Sequence, residues 1–286
     1  MCLLSIIIVS YNNKDVLIDC LDSISRQNDI EEELEVIVVE QSPSNDIYEY
    51  ITENYSWVKT IRADNRGFGA GNNRGSEIAG GKYILFLNPD TVLVEPICKY
   101  AIDKFENTET LGLFGVQLLD ANRNKTSSFD MNIPFGFWNK MEFKIMTKLG
   151  IFDERKMYIQ GADLFVRKDL FEVVGRFDEE VFMYGEEPDL CTRIIRMGSH
   201  IEFDQTKSII HLQGACSPQN YSLTFKRQIS AFKRYCDKYE VDFDTCIRRE
   251  MRLQNFKLFL FRITGKTDGI QFKISSQIID VFKAYR

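Results

Sequence analysis

The first part of the chain alternates short apolar runs with segments of helical periodicity. The continuous apolar run Ser5–Ser10 is typical of a strand buried on both faces, and Glu35–Val39, Trp57–Arg62 and Tyr83–Leu87 predict three further strands. Between the first two, apolar positions from Val16 to Ile24 recur at the 3.6-residue spacing of a helix. This alternation predicts an α/β fold: an open, mostly parallel sheet with antiparallel pairing at its margin and helices on both faces.

The alternation ends after the strand-like segment Leu113–Leu119. Asp120–Asn124 is a polar turn that indicates a hairpin. Met131–Phe152 is rich in aromatic residues and methionine, a composition that favours packing in a core. The alternative is an exposed surface that contacts a substrate or a membrane.

Beyond His211 the pattern is helical, with Phe225, Ile229, Phe232 and Cys236 on one stripe. We therefore predict a catalytic-type α/β domain over residues 1–217 and a helical region over residues 218–286 that packs on it. The sequence does not specify an oligomeric state.

The amino-acid composition indicates a globular protein of a reducing compartment. The 286 residues are 44% hydrophobic and 27% charged, which is typical of a globular protein. The apolar beginning Met1–Val9 lacks a basic region and a cleavage site, so we read it as a first strand and not as a secretory signal. The seven cysteines are scattered without a C-x-x-C motif, which favours a reducing compartment and hence a cytoplasmic protein.

Charge is unevenly distributed along the chain. The net charge of −6 argues against nucleic acid as a general partner. From Ser222 to Arg286, however, there are 14 basic and 7 acidic residues. A solvated helical face is the ordinary explanation of such a tail, and peripheral contact with the anionic inner face of the cell membrane is the alternative.

Four polar clusters follow predicted strands. They are Ser10-Tyr11-Asn12, Glu40-Gln41-Ser42, the glycine-rich segment Asn65–Gly75, and Asn88-Pro89-Asp90. In an open α/β sheet, ligands bind beyond the carboxyl ends of the strands, so together the clusters predict a binding site for an elongated polar ligand.

Two of these clusters suggest specific chemistry. Glycines before a helix can bring the backbone close to a phosphate, although a tight packing turn explains Asn65–Gly75 equally well. Asp90, at the edge of the sheet, suits Mg²⁺ or Mn²⁺ bound to a diphosphate, with a turn-capping role as the alternative.

Taken in order, these motifs resemble an inverting family 2 glycosyltransferase of the GT-A fold. The resemblance spans about residues 3–217 and includes Leu87-Asn88-Pro89-Asp90-Thr91, the segment Gly175–Glu179, the segment Phe182–Arg193, and His211 with Gly214. In the residues of Asn65–Gly75 and Asn88–Thr91, the chain most resembles rhamnosyltransferase-like enzymes of bacterial surface-polysaccharide assembly. Two pairs depart from the family: Glu40-Gln41 replaces Asp-Asn, and Glu186-Glu187 replaces Glu-Asp.

The resemblance implies a nucleoside-diphosphate sugar as donor, rhamnose being one candidate sugar, and a glycan or lipid-linked saccharide as acceptor. It implies Glu187 as general base with Glu186 beside it, and Asp90 and His211 as ligands of Mg²⁺ or Mn²⁺. The implied donor-binding residues are Ser10, Tyr11, Asn12, Glu40, Asn65, Gly67, Gly69, Asn72, Asn88 and Asp90. His200 receives no role.

Two other functions remain open at this point. A non-catalytic module that binds a nucleotide or a carbohydrate could keep the same fold. A nucleotide-dependent dehydrogenase is disfavoured because Asn72 interrupts the G-x-G-x-x-G pattern and the glycine segment does not follow the first strand.

Overall fold

The computed structural model describes residues 2–212 and 221–285. The predicted domain boundary at 217/218 and the family glycine Gly214 lie outside the described residues. Two compact units are distinguished, and the first comprises the described parts of Met1–Asp130, Phe152–Phe182 and Glu186–Ser217. The second comprises Met131–Ile151, Met183–Gly185 and the described part of Pro218–Arg286, so residues 131–151 group with the C-terminal helices.

Ten strands are described. They are β1 Leu4–Ser10, β2 Leu34–Glu40, β3 Val58–Arg62, β4 Tyr83–Leu87, β5 Thr91–Leu93, β6 Leu111–Leu119, β7 Phe129–Met131, β8 Met157–Ile159, β9 Asp163–Arg167 and β10 His200–His211.

Eight of them form one sheet in the order β3-β2-β1-β4-β9-β6-β10-β5, while β7 and β8 form a separate pair. Strands β1 to β4 run parallel to one another. Strand β9 is antiparallel to both β4 and β6, and β5 pairs antiparallel with β10 at the edge. The predicted open, mostly parallel sheet is confirmed, with an antiparallel strand inside it as well as at its edge.

The helices of the first unit are α1 Lys14–Gln27, α2 Asp46–Asn54, α3 Phe68–Ser76, α4 Cys98–Asn107, α6 Lys168–Val173 and α7 Glu186–Arg196. Strand β1 shows how they cover both faces. Ile6 and Ile8 share a core with the buried Leu17 and Leu21 of α1. Val9, on the opposite face, packs against α3. A strand buried on both faces explains the unbroken apolar run.

The helices of the second unit are α5 Phe137–Leu149, α8 Tyr221–Tyr239, α9 Phe243–Ile263 and α10 Ile270–Ala284. The predicted stripe is confirmed on α8, because Phe225, Ile229, Phe232 and Cys236 are all buried in one cluster with Phe282. Among the residues that the structure describes, no helix combines the length and the apolar composition that crossing a bilayer requires.

Helix α5 differs from the expectation that Met131–Phe152 packs in a core. Core packing holds for Met131 and Phe135, which are buried. It is wrong for α5 itself, which has no buried residue and exposes Trp138, Ile145 and Leu149. An apolar composition is compatible with a core or with an exposed interface, and the sequence pattern could not decide between them.

Candidate active site

The carboxyl ends of β1 and β2 are joined by a buried carboxylate. Ser10 Oγ donates to Glu40 Oε2 at 2.6 Å, and the Ser42 backbone N–H donates to Glu40 Oε1 at 2.6 Å. Glu40 is fully buried and pairs in register with Ser10. Both carboxylate oxygens therefore have partners within the protein, and the geometry gives Glu40 and Ser10 the role of holding two strand ends together.

Tyr11 and Asn12 are exposed at the same edge of the sheet. Asn12 has a left-handed backbone with φ of 51°, a conformation that asparagine tolerates better than most residues. Its backbone N–H donates to Ser42 Oγ at 2.8 Å. The turn after β1 is thus fixed by its backbone, and the side chains of Tyr11 and Asn12 are accessible to a ligand.

The glycines of the Asn65–Gly75 segment bring α3 close to its neighbours. A Cβ atom at Gly67, whose φ is 103°, would collide with the carbonyl oxygen of Phe182. A Cβ atom at Gly69 would lie 3.0 Å from Phe177 Cβ, and one at Gly75 would collide with Ile7. These contacts correspond to the packing alternative, because the space beside each glycine is occupied by protein.

Two asparagines of α3 differ in their surroundings. Asn73, which the sequence analysis did not single out, accepts from the backbone N–H of Phe177 at 3.0 Å and donates to its carbonyl oxygen at 2.9 Å. Asn72 is buried and donates to Phe68 O at 3.1 Å, while its Oδ1 has no hydrogen-bond partner among the described residues.

An open cavity of about 530 Å³ lies beside the start of α3. Its lining consists of Gln41, Arg62, Ala63, Asp64, Arg66, Ala70, Arg74, Glu77 and Glu179. The volume is within the range of small-molecule sites, and the lining combines three arginines with three acidic residues, Asp64, Glu77 and Glu179. Arg74 pairs with Glu77 at 2.6 Å. Arg66 also forms an ion pair with Glu179 at 3.1 Å. Neither Asp90, His211 nor Glu187 lines this cavity.

Asp90 and His211, which are far apart in the sequence, meet at the edge of the sheet. Strand β10 pairs antiparallel with β5 so that His211 faces Thr91, and Asp90 Oδ1 lies 3.3 Å from His211 Nε2. Asn88 Nδ2 lies 3.4 Å from the same ring nitrogen. The structure thus brings three of the predicted site residues together.

The donor atoms at this point fit a divalent cation. Two ligands on neighbouring corners of an octahedral Mg²⁺ or Mn²⁺ site are about 3 Å apart, close to the 3.3 Å between Asp90 and His211. Across the described residues, no three acidic, histidine or cysteine side chains form a complete metal site. The pair therefore fits an ion that also takes ligands from water or a diphosphate.

Glu186 and Glu187 begin α7, where carboxylates interact favourably with the helix dipole. Glu186 is buried, whereas Glu187 is half-buried. Burial, followed by the charge of Glu186, raises the pKa of Glu187 to about 8, and hydrogen bonds from the Glu187 and Gly161 backbones oppose this shift. A carboxyl group whose pKa lies near working pH can exchange protons with a substrate.

Tyr158 belongs to the same acidic region. Burial and the charges of Asp130, Glu187 and Glu186 hold the pKa of Tyr158 well above its usual range. Its phenol therefore stays protonated and can donate a hydrogen bond. Sequence reasoning missed Tyr158 because only the folding of β8 against α7 brings it to the glutamates.

Asp189 has a structural partner on its own helix. Arg193 Nε donates to Asp189 Oδ2 at 2.9 Å, and its NH1 donates to Val174 O at 2.6 Å. This i,i+4 pair braces the first turns of α7. The other histidine, His200, lies on the surface 3.0 Å from Glu154 Oε1.

A buried acid at the start of β9 was not anticipated. Asp163 pairs with Leu87, the last residue of β4, and its Oδ2 accepts from the Val116 backbone N–H at 2.6 Å. Its Oδ1 has no partner in the part of the chain that is described. Burial holds the pKa of Asp163 well above its usual range, which favours the neutral form of this side chain.

The chain is similar to known glycosyltransferases. It is 25% identical to the rhamnosyltransferase WbbL of Escherichia coli K12 over 244 residues, which is 80% of this chain and 91% of WbbL. Its fold is similar to mannosyltransferase PcManGT from Pyrobaculum calidifontis in complex with GDP-Man and Mn²⁺, with a TM-score of 0.58, 15% identity, and coverage of 99% of this chain and 75% of the other.

A second solved structure gives the same fold. Staphylococcus aureus TarS matches with a TM-score of 0.54 and 17% identity over 80% of this chain, which spans 39% of the TarS chain. These likenesses confirm the GT-A type of fold. The model of the family described as "Glycosyl transferase family 2" matches residues 5–173. The chain therefore belongs to glycosyltransferase family 2.

Proposed function

We propose that the protein transfers a sugar from a nucleoside-diphosphate sugar to an acceptor hydroxyl with inversion at the anomeric carbon. The observation that carries the proposal is the environment of Glu187, a half-buried carboxyl at a helix start whose pKa is raised to about 8. An inverting transfer needs one such group as general base.

The donor would bind across the carboxyl ends of the strands. The arginines of the 530 Å³ cavity would bind the anionic diphosphate by exchanging the Arg66–Glu179 and Arg74–Glu77 ion pairs for it. The exposed side chains of Tyr11, Asn12 and Asn65 would add polar contacts to the donor. Ser10, Glu40, Gly67 and Gly69 would support this surface through the packing described above.

Asp90 and His211 would hold Mg²⁺ or Mn²⁺. When bound, the ion neutralises charge on the departing diphosphate. Asn88, whose amide nitrogen lies 3.4 Å from Nε2, would give up this contact when Nε2 ligates the ion.

The transfer would be a single in-line displacement. The Glu187 carboxylate accepts the proton of the acceptor hydroxyl as the oxygen bonds to the anomeric carbon. The bond from that carbon to the diphosphate oxygen breaks, and its electron pair leaves with the diphosphate. Glu186, buried beside Glu187, keeps the pKa of the base high through its charge.

The relative WbbL, which is named a rhamnosyltransferase, supports rhamnose as a candidate donor sugar. The mannosyltransferase structure, described with GDP-Man, makes a mannose donor the main competitor. The acceptor would be a glycan or a lipid-linked saccharide used in the cytoplasm, at the inner face of the cell membrane.

The test is a panel of nucleoside-diphosphate sugars with the purified full chain, with and without Mn²⁺ or Mg²⁺. A bound nucleotide raises the melting temperature, because it stabilises the native state by RT ln(1 + [L]/Kd), and turnover releases free nucleoside diphosphate. We expect metal-dependent stabilisation and release with one donor. A chain that binds a donor but releases no diphosphate with any acceptor tested would be a binding module, which contradicts the proposal.

A further inference from the structure

Helix α5 exposes an apolar stripe. Trp138, Met141, Ile145 and Leu149 follow one another at spacings of three and four residues, so they lie on one face of the helix. Trp138 is 78% exposed and Leu149 is 64% exposed. A continuous apolar stripe that is exposed to solvent indicates a binding surface.

Positive charge borders this stripe. Lys144 and Lys148 are exposed on α5, whereas the third lysine of the helix, Lys140, forms an ion pair with Glu250. The helix has one acidic residue, Glu142. Glu142 is half-buried, so the exposed charges along the stripe are the two lysines.

The C-terminal half of α9 also exposes apolar residues among basic ones. Phe256, Phe259, Leu260 and Ile263 are exposed. Residues 252–266 include four basic residues and no acidic residue. Helix faces with aromatic and aliphatic residues among cations are typical of segments that lie in the interface of a membrane.

The two helices are fixed to each other within the second unit. The backbone N–H of Gly136, just before α5, donates to Glu250 Oε2 of α9 at 2.9 Å. Lys140 pairs with the other oxygen of the same carboxylate. Because both oxygens of the buried Glu250 are used in this way, the two exposed faces belong to one body.

We propose that the exposed faces of α5 and of the C-terminal half of α9 form a docking surface for an anionic lipid bilayer. Apolar side chains would enter the headgroup region, and the cations would bind lipid phosphates. The proposal is independent of the transfer reaction.

Charge complementarity favours a bilayer over a second copy of the chain. A two-fold dimer places the same patch against itself, so Lys144, Lys148 and Arg252 would face like charges. An anionic leaflet offers negative charge over the whole surface and attracts the same residues.

The experiment measures binding of the full chain to vesicles of phosphatidylcholine alone or mixed with phosphatidylglycerol, at low and high salt. The chain has two tryptophans, so Trp57→Phe leaves Trp138 as the only indole, and its emission reports entry into lipid. The test variants are Trp138→Ser and the double variant Lys144→Glu/Lys148→Glu. Val173→Ser and Lys125→Glu are matched controls, because both positions are exposed in the first unit.

We expect salt-sensitive binding to the anionic vesicles, a blue shift of Trp138, and at least about tenfold weaker binding of the test variants. The controls should bind like wild type, and all variants should keep the circular dichroism of the parent. Equal binding to neutral vesicles, no binding at low salt, or a stable dimer that Trp138→Ser dissociates would each overturn the proposal. Nucleotide binding tests the transfer function separately, so the two can fail independently.

Discussion

The carboxylate of Glu187 lies directly against the backbone of Gly161. A Cβ atom at position 161 would come within 2.5 Å of Glu187 Oε1 and 3.1 Å of its Cγ. The Gly161 backbone also donates a hydrogen bond to this carboxylate. The missing side chain at 161 therefore provides the space in which the proposed base is held.

Gly161→Ala should displace the Glu187 carboxylate without unfolding the protein. Misplacing a catalytic group by about 1 Å can cost about 100-fold in rate, so we expect transfer to fall at least tenfold while donor affinity stays within threefold. Steady-state kinetics and nucleotide titration measure the two effects. Wild-type transfer by this variant would show that the position of Glu187 is not critical.

Glu187→Gln keeps the shape of the side chain and removes the base. Proton transfer by a positioned group typically contributes 10²–10⁴-fold, so transfer at saturating substrates should fall at least about 100-fold, with donor binding retained. The matched comparison is Glu186→Gln. Transfer within threefold of wild type would refute the role of Glu187, and a large loss only in Glu186→Gln would move the base by one residue.

The raised pKa of Glu187 predicts a pH dependence. Only the deprotonated carboxyl accepts a proton, so kcat/KM should rise with pH and level off above the pKa of about 8 in the free enzyme. The measurement is a pH–rate profile from pH 6 to 9.5. A profile that is flat between pH 6 and 9 would contradict this assignment.

Unfolding provides a control that does not depend on catalysis. The pKa of Glu187 is about 8 in the folded protein against an ordinary value of 4.5, so between these values the folded state holds a proton that the unfolded state has lost. Stability should therefore decrease as pH rises through this window, by at most about 1.4 kcal/mol per pH unit from this group. Glu187→Gln should become increasingly more stable than wild type over the same window.

The metal proposal rests on the contact between Asp90 and His211. Asp90→Ala should abolish Mn²⁺-dependent nucleotide binding, and His211→Ala should weaken it by about tenfold or more, since each removes a ligand. His200→Ala is the matched control, because that histidine lies on the surface beside Glu154. Isothermal titration with and without Mn²⁺ makes the measurement. Undiminished metal-dependent binding by Asp90→Ala would exclude this site.

Gly75→Ala should destabilise the fold, because the new Cβ would collide with Ile7 in the core. Overpacking costs about 1–3 kcal/mol, which exceeds the gain of up to about 1 kcal/mol from better helix propensity. Gly80→Ala is the control, since the nearest atom would be 3.5 Å away. Chemical denaturation compares the two, and equal stability would mean that α3 can move away from the sheet at little cost.

The mostly parallel sheet was predictable because β1, β2 and β4 carry unbroken apolar runs. The sequence also predicted that the polar segments after β1, β2 and β4 lie at one edge. It did not predict that β9 runs antiparallel inside the sheet. The local sequence does not indicate strand direction, because a buried strand has the same apolar pattern whether it runs parallel or antiparallel to its neighbours.

The parts of the site that were missed depend on distant contacts. Asn73 bonds to Phe177, 104 residues further along, and the buried Asp163 accepts from the backbone N–H of Val116. The glycines after Asn65 could be read as a phosphate cradle or a packing turn, and only the neighbouring Phe182 and Ile7 distinguish the two. Tertiary context, which the local pattern lacks, supplies this information.

The pairing of β5 with β10 also has a consequence for folding. Thr91 and His211 are partners at the edge of the sheet, although about 120 residues separate them in the sequence. The intervening chain must therefore fold before Asp90 can contact the His211 imidazole. Contacts of such high sequence separation form late, because chain entropy must be lost before they are made. A nascent chain that ends before β10 would contain Asp90 and α3 but not the paired ligands. Metal-dependent nucleotide binding would thus begin only when the last strand of the sheet is in place, and it can serve as a readout of completed folding.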